Sequence, residues 1–431
     1  MPVRLRRPER FQVAMKVECP NDLISPEHPA RVVWAVVESL DLSDFCRPIK
    51  ARTGVCGRDS TDPLLLMALW LYACIRGIGS ARELARACDS EEGSRPFLWL
   101  CGGVSVNHHT LSDFRVEHAA ALDDLFTRTI ATLVKKDLVK VKRISQDGTR
   151  VRAGAGASSF RRASTLDKLL ADAKEHVGQL KALLDDPEKS AGFSARQKAA
   201  RTRAARDRQG RIEAAIKTIP GLREKQEKLA KRMSKKEKAR KLKEPRASAT
   251  DAEARVMKMP NGGFNPAVNV QLAVDTGSRA IVGVEVSGSG ADAGQSESMR
   301  QQVETRSGRK VEEHLIDGGF LVSEEIERAA KEGVTLYVPP KPPRNREKFG
   351  TEYEPRDRDS QIINDWRKRM GSEEGKEIYK QRASTSETAN ANLKQHGLSQ
   401  MTVRGLKKAR CVALWCALAY NLTLFSQALI G

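Results

Sequence analysis

Nowhere in the 431 residues do two of the eight cysteines stand in C-x2-C spacing. That excludes a zinc ribbon and a redox dithiol. The cysteines fall at 19, 46, 56, 74, 88, 101, 411 and 416, several of them inside apolar runs. Such placement suits reduced, buried thiols in an intracellular protein. No apolar stretch follows the basic segment Met1 to Arg10, so no signal peptide is expected. Long apolar runs are also scarce. Leu64 to Ile75 is apolar throughout but only twelve residues long, short of the roughly 20 that a bilayer core requires. Cys411 to Ile430 is long enough, yet Asn421, Thr423, Ser426 and Gln427 interrupt its second half; we read it as a buried helix and expect no membrane association. Acidic residues are in short supply too. There are 55 Asp and Glu against 75 Lys and Arg, a net charge of +20. That excess predicts a polyanionic partner and weighs against a small-molecule metabolic enzyme. What is present is a chain of 40% hydrophobic and 30% charged residues. It can bury a large core without disulfide or metal, and is long enough for two to three domains of roughly 150 residues.

Helical signals dominate the first third. Ala30 to Leu40 is helix-like. Asp62-Pro63 is a cap followed by proline at the first helical position, opening the apolar helix that ends near Gly77. Ser80 to Glu83 is a capping box, and Thr110 to Asp113 repeats the pattern before a long helix expected to reach Lys135. The pattern suits a helix-turn-helix-like DNA module and a plain helical bundle equally. Strands are predicted at 139–147, 268–275, 280–287, 312–317 and 334–338, with Asp275 to Ser278 as a hairpin turn. Helices between the later strands give an α/β domain with a mixed sheet. A long segment intervenes at 160–255. Leu166, Leu169, Leu170, Ala173, Val177, Leu180 and Leu184 have helical spacing. Charged helices are expected at 196–211 and, beyond Pro220, from Arg223 to Lys243. Residues 161–246 hold 26 Lys and Arg against 12 Asp and Glu, so they carry +14 of the +20. A charge run is commonly just a solvated helix face, but an imbalance of this size favours nucleic-acid contact.

Three acids stand out. Asp147 and Asp317 are expected at the C-terminal ends of apolar strands, and Glu387 opens a helix after the last strand. Strand ends and helix starts share one rim of an α/β sheet. Three carboxylates there form an oxygen site suited to Mg2+ or Mn2+, and a pair of such ions activates the attacking oxygen and stabilises the leaving oxygen of a phosphodiester displacement. Each has a plainer reading alone. Asp147-Gly148 and Asp317-Gly318 are turn dipeptides, and Glu387 stands three after Ser384 as in a capping box. Their joint order favours the metal reading. Glu387 and Lys394 are seven apart and share a helix face, with Asn390 and Ala391 between them. Tyr379 and Arg382 precede them and could reach phosphate oxygens.

Ile144 to Arg150, Asn269 to Asp275, Leu315 to Phe320 and the series Tyr379-x2-Arg382-x4-Glu387-x6-Lys394 together resemble the DDE transposases of bacterial insertion sequences. Asp62 to Arg115 looks like the N-terminal helical domain of that group, and Arg404 to Leu422 like its C-terminal helix. The interval between Arg382 and Glu387 is one residue longer than in the commonest form of the Tyr-Arg-Glu-Lys signature.

The resemblance implies a ribonuclease-H-like fold, an all-helical N-terminal domain over 1–136, and a catalytic domain over 137–159 and 256–400. It leaves 160–255 as a basic helical, coiled-coil-like insertion and 401–431 as a C-terminal apolar helix packed on the catalytic domain. It implies Asp147, Asp317 and Glu387 as catalytic, metal-holding residues with two Mg2+ or Mn2+ ions, and Tyr379, Arg382 and Lys394 as DNA contacts. The implied partners are double-stranded DNA, at the element's terminal inverted repeats and in the target, and a second copy in a homodimer or higher oligomer. The implied setting is the bacterial cytoplasm, at the nucleoid when bound to DNA. The alternatives are a ribonuclease-H-like nuclease without strand transfer, a DNA-binding regulator with an inactive catalytic domain, and a structural protein whose basic segment binds RNA.

Overall fold

The computed structural model describes residues 19–51, 59–89, 93–231, 243–343 and 350–430. Met1 to Arg10, Cys56 and the charged stretch 232–242 lie outside the described residues.

Among the described residues a 3-10 turn, Pro20–Leu23, is followed by seven α-helices: α1 (Pro29–Ser39), α2 (Ser43–Cys46), α3 (Pro63–Ile75), α4 (Ala81–Ala87), α5 (Arg95–Cys101), α6 (His108–Glu117) and α7 (Ala119–Lys135). The expected caps act on α3 and α4, where Asp62 accepts from the Leu64 amide and Ser80 from that of Glu83. The long helix expected from Thr110 is instead two. Asn107 caps α6 through the amides of His109 and Thr110, and His118 breaks the helix before α7 begins. Thr110 lies inside α6, so its pattern with Asp113 opens nothing.

Strand β1 (Arg143–Arg152) follows, then the two-residue β2 (Phe160–Arg161), α8 (Ala163–Asp185), α9 (Pro187–Ser190), α10 (Ala195–Lys231) and β3 (Ala247–Ser248). Pro220 was expected to separate two helices, but α10 runs through it for 37 residues, about 55 Å. Ile212, Ala215 and Ile219 are buried against Leu166 and Ala173, with Leu222 packed beside them. Packing on both sides of the proline holds the axis despite the lost hydrogen bond.

The rest of the sheet is β4 (Arg255–Lys258), β5 (Phe264–Asp275), β6 (Ile281–Ser287), β7 (Glu313–Ile316) and β8 (Thr335–Tyr337). Between them lie α11 (Ser296–Ser307) and α12 (Ser323–Lys331), and after them α13 (Gln361–Gly371), α14 (Glu373–Arg382), α15 (Thr388–Gln395) and α16 (Leu406–Ile430). The sheet is mixed. β5 is antiparallel to β1 on one edge and to β6 and β4 on the other, while β1, β7 and β8 run parallel. The order is β4-β5-β1-β7-β8, with β6 also on β5. β1 starts four residues later than predicted and extends past Asp147 to Arg152. Ahead of it Val141 sits at φ +57°, its amide bound to the Asp275 carboxylate at 3.0 Å. That left-handed backbone at a β-branched residue ends any strand there.

One hydrophobic core runs from α1 and α3 through α7 and the sheet to α16. α16 is long and apolar enough to cross a membrane, but Cys411 to Leu422 is buried in that core. Asn421, which interrupts its apolar run, is fully buried. Its side chain accepts from the Ile281 amide and donates to the Ile281 carbonyl, both at 2.8 Å. The polar residue thus takes the place of a neighbouring strand at the start of β6. Arg306 and Arg410 both bind Asp123, at 2.6 and 2.9 Å, joining α7, α11 and α16.

Candidate functional site

Asp147 was expected at a strand end. It lies inside β1, opposite Leu272 of β5. The Asp147-Gly148 pair is therefore no turn, and the glycine has another cause. A Cβ at Gly148 would fall 2.2 Å from Gln271 Nε2 and 2.5 Å from Asp292 Oδ1. Parallel pairing aligns Gln146 with Ile316, which brings Asp147 level with Asp317, the residue after β7. Asp317 does stand at its strand end and starts the short 3-10 turn Gly318–Phe320.

Glu387 comes beside Arg382 on a helix that crosses β1. It was expected to open a helix, with a capping box from Ser384 as the plainer reading. Instead α14 continues through a π-helical turn, Ala383–Glu387, directly into α15. Ser384 caps nothing, its hydroxyl donating to the Gln381 carbonyl. A π turn closes i→i+5 hydrogen bonds and absorbs one extra residue into a helix. This accounts for the longer interval between Arg382 and Glu387. With it, residues five apart face the same way. Gln381 accepts from Arg143 at 3.0 Å, Ser386 meets Ser145 at 2.5 Å, and Asn390 donates to Asp147 Oδ2 at 3.2 Å. Alternate residues of one strand face thus meet three side chains of one helix. The matched spans are each about 13 Å, four residues of strand and nine of helix.

The three acids converge on Arg382. Its guanidinium lies 3.6 Å from Asp147, 4.0 Å from Asp317 and 3.5 Å from Glu387. These contacts are longer than the 2.7–2.9 Å typical of a tight guanidinium–carboxylate bond, so Arg382 neutralises the acids without locking them. Its ring neighbour is Tyr379, 5.9 Å from guanidinium to ring centre. Burial pushes the Asp147 carboxyl above the usual carboxylate range, and Arg382 opposes that. Burial likewise raises the Tyr379 phenol. It works against the charge on Arg382, but Tyr379, Asp147 and Asp317 outweigh it and keep the guanidinium protonated. Lys394 is exposed and pairs with none of the described residues; only the helical spacing puts it on the Glu387 face.

Of the six residues singled out in the sequence, five gather here and Lys394 stands apart. Two others lie close by. Asn390, read only as lying between Glu387 and Lys394, holds Asp147, and its Oδ1 is buried without a partner. Asp292, in the loop before α11, faces the opposite side of β1 and was not singled out. Its surroundings, Gly288-Ser289-Gly290-Ala291, carry no periodic or motif signal. The donors are carboxylate and amide oxygens, the set a hard divalent cation takes. As they stand they are spread around Arg382, and among the described residues no three His, Cys, Asp or Glu side chains are grouped closely enough to share one ion.

Residues 343–425 match the family described as the transposase DDE domain, and residues 18–117 match one described as a transposase domain. The first span contains Tyr379, Arg382, Glu387 and Lys394. The second covers the helical region from Cys19 to Glu117. Asp147 and Asp317 lie between the two. No curated protein and no solved structure is similar enough to match the chain. Both matches are to transposase domains, one of them the DDE domain, and they indicate a DDE-type transposase of the insertion-sequence kind over two separate stretches of the chain.

Proposed function

We propose that the chain cleaves DNA at the ends of its own element and joins the exposed 3′-hydroxyl to target DNA, in a reaction that requires Mg2+ or Mn2+. The observation that carries this reading is the convergence of Asp147, Asp317 and Glu387 on one guanidinium. Three carboxylates drawn from two parallel strands and a crossing helix mark a point where positive charge is wanted. The strand order, an antiparallel meander of β1, β5 and β6 followed by parallel β7 and β8, supports the ribonuclease-H-like reading.

Asp147, Asp317 and Glu387 would hold the divalent ions. When bound, these would activate the attacking oxygen and stabilise the leaving oxygen of an in-line phosphodiester displacement. Asn390 and the Gly148 amide fix the Asp147 carboxylate, each through one oxygen. Arg382 and Tyr379 orient the scissile phosphate, with Lys394 further along the same helix face. The basic insertion and the N-terminal helices grip the terminal DNA. Joining two ends calls for at least two copies of the chain.

Asp147→Asn and Asp317→Asn should each abolish Mg2+-dependent strand cleavage while leaving duplex binding intact. Full cleavage by either variant overturns the assignment. Joined products from a 3′-hydroxyl donor, run on a gel, separate strand transfer from plain hydrolysis. Binding without any metal-stimulated cleavage would favour the inactive regulator.

A further inference from the structure

Asp292 lies on the far side of β1 from Glu387, because cross-strand partners alternate faces. Asp147 faces Leu272 and the crossing helix, while Gly148 faces Gln271 and Asp292. Its two oxygens are used unequally. Oδ1 accepts from Asn269 Nδ2 at 2.7 Å and from Gln271 Nε2 at 2.6 Å, and Gln271 in turn accepts from Gln146 at 2.9 Å. The three amides are fully buried. Oδ2 has only Arg150, at 3.5 Å. It lies 3.6 Å from the point where a Cβ on Gly319 would sit, and Asp317 Oδ2 lies 3.7 Å from that same point. The glycine leaves that point open beside both carboxylate oxygens.

A second observation points to a ligand. Asn269 Oδ1 is fully buried and has no hydrogen-bond donor, although its own amide nitrogen is used on Asp292. It lies 2.8 Å from where a Cβ on Gly148, the neighbour of Asp147, would be. The electrostatic influence of Asp292 and Asp317 also reaches Asp147. A carboxylate with one oxygen anchored by buried donors and the other held only by one long contact, to Arg150, has the form of a pre-oriented cation ligand, since ligating carboxylates are themselves hydrogen-bonded. Anchoring a loop does not require this charge. A neutral amide oxygen at 292 would accept the same two bonds.

We propose that Asp292 is a fourth carboxylate of the cation site, offering Oδ2 to a divalent ion from the face of β1 opposite Glu387. This rests on the reading of Asp147 and Asp317 as cation-holding residues. The test is Mn2+ binding by the full chain, followed by electron paramagnetic resonance of free Mn2+, alongside thermal unfolding without metal. Asp292→Asn keeps an oxygen for Asn269 and Gln271, so unfolding should be unchanged. Mn2+ binding should weaken by about tenfold or more. Gly319→Ala adds one methyl group at ordinary contact distance from both oxygens, and should weaken Mn2+ binding with the fold retained. If Asp292→Asn unfolds the chain, Gly319→Ala decides alone. Mn2+ binding unchanged from the parent chain in the folded variants overturns the role of Asp292, while a marked loss in Asp147→Asn keeps the three-acid reading. A parent chain that binds no Mn2+, or binds it as well after Asp147→Asn, overturns both together.

Discussion

Inserting one alanine after Ser384 tests whether the π turn sets the register of the site. Ser384 is exposed and its hydroxyl binds only the Gln381 carbonyl, so the added side chain itself matters little. The turn already holds the one residue it can absorb, and a second rotates everything beyond it relative to α14 by about 100°. Gln381, Ser386 and Asn390 then cannot all face Arg143, Ser145 and Asp147. The Ser145–Ser386 contact is neutral and buried, and breaking it costs about 1 kcal/mol. Losing the amide of Asn390 from the Asp147 carboxylate costs about 1.5–3 kcal/mol more. A total near 3 kcal/mol should appear as a lower urea midpoint with an unchanged m-value. Ser384→Ala, as the control, should stay within about 0.5 kcal/mol of the parent. Metal-dependent cleavage should disappear with the insertion, because Glu387 leaves its place beside Arg382. An insertion variant with the parent's midpoint and cleavage would refute the register argument.

Other outcomes follow from single side chains. Asn421→Leu leaves the Ile281 amide and carbonyl buried without partners, and should destabilise the chain by about 2–5 kcal/mol in urea titrations; a change under about 1 kcal/mol would contradict the strand-mimic role. His314 is completely buried, and that burial lowers its pKa to about 3. The unfolded chain therefore binds more protons below its ordinary value near 6.5, so stability should fall as pH drops from about 6.5 toward 3, by up to about 1.4 kcal/mol per unit. His314→Phe should flatten that slope. Arg382→Ala removes the charge that opposes burial at Asp147. Its carboxyl should rise further, and the acid limb of cleavage should move to higher pH. Arg203, Arg208 and Lys217 are exposed on α10, and replacing each by Ala should reduce the salt slope of duplex binding by about one while leaving Mn2+ binding alone.

Much of this architecture could be read from periodicity. The five predicted strands all exist, and the caps at Asp62 and Ser80 act as their residue types suggest. What local pattern could not convey was decided by neighbours distant in sequence. Asp147-Gly148 looks like a turn until Gln271 and Asp292 are seen to fill the space that a side chain at Gly148 would need. Glu387 looks like a capping residue until Ser145 and Asp147 are seen to pull its helix into a π turn. The extra residue before Glu387 weakens the match to the family signature when read as sequence, yet five-residue spacing is what brings Arg382 and Glu387 together. Pro220 signals a break that packing of Ile212, Ala215 and Ile219 overrides. Asp292 had no sequence signal because its partners, Asn269 and Gln271, belong to a strand expected to be merely apolar.

The excursion that carries α8 to α10 is closed at its base by a two-stranded sheet of its own, separate from the main sheet. Phe160 pairs with Ser248 and Arg161 with Ala247, so its two ends lie side by side at the strand spacing of about 4.8 Å. A closed stalk of this kind makes the excursion a cassette. It can lengthen, shorten or change its charge without altering the registers that align Asp147 with Asp317. Under the proposed function, how tightly the chain holds a polyanion and how well it handles a phosphodiester would then be separately tunable traits of one polypeptide.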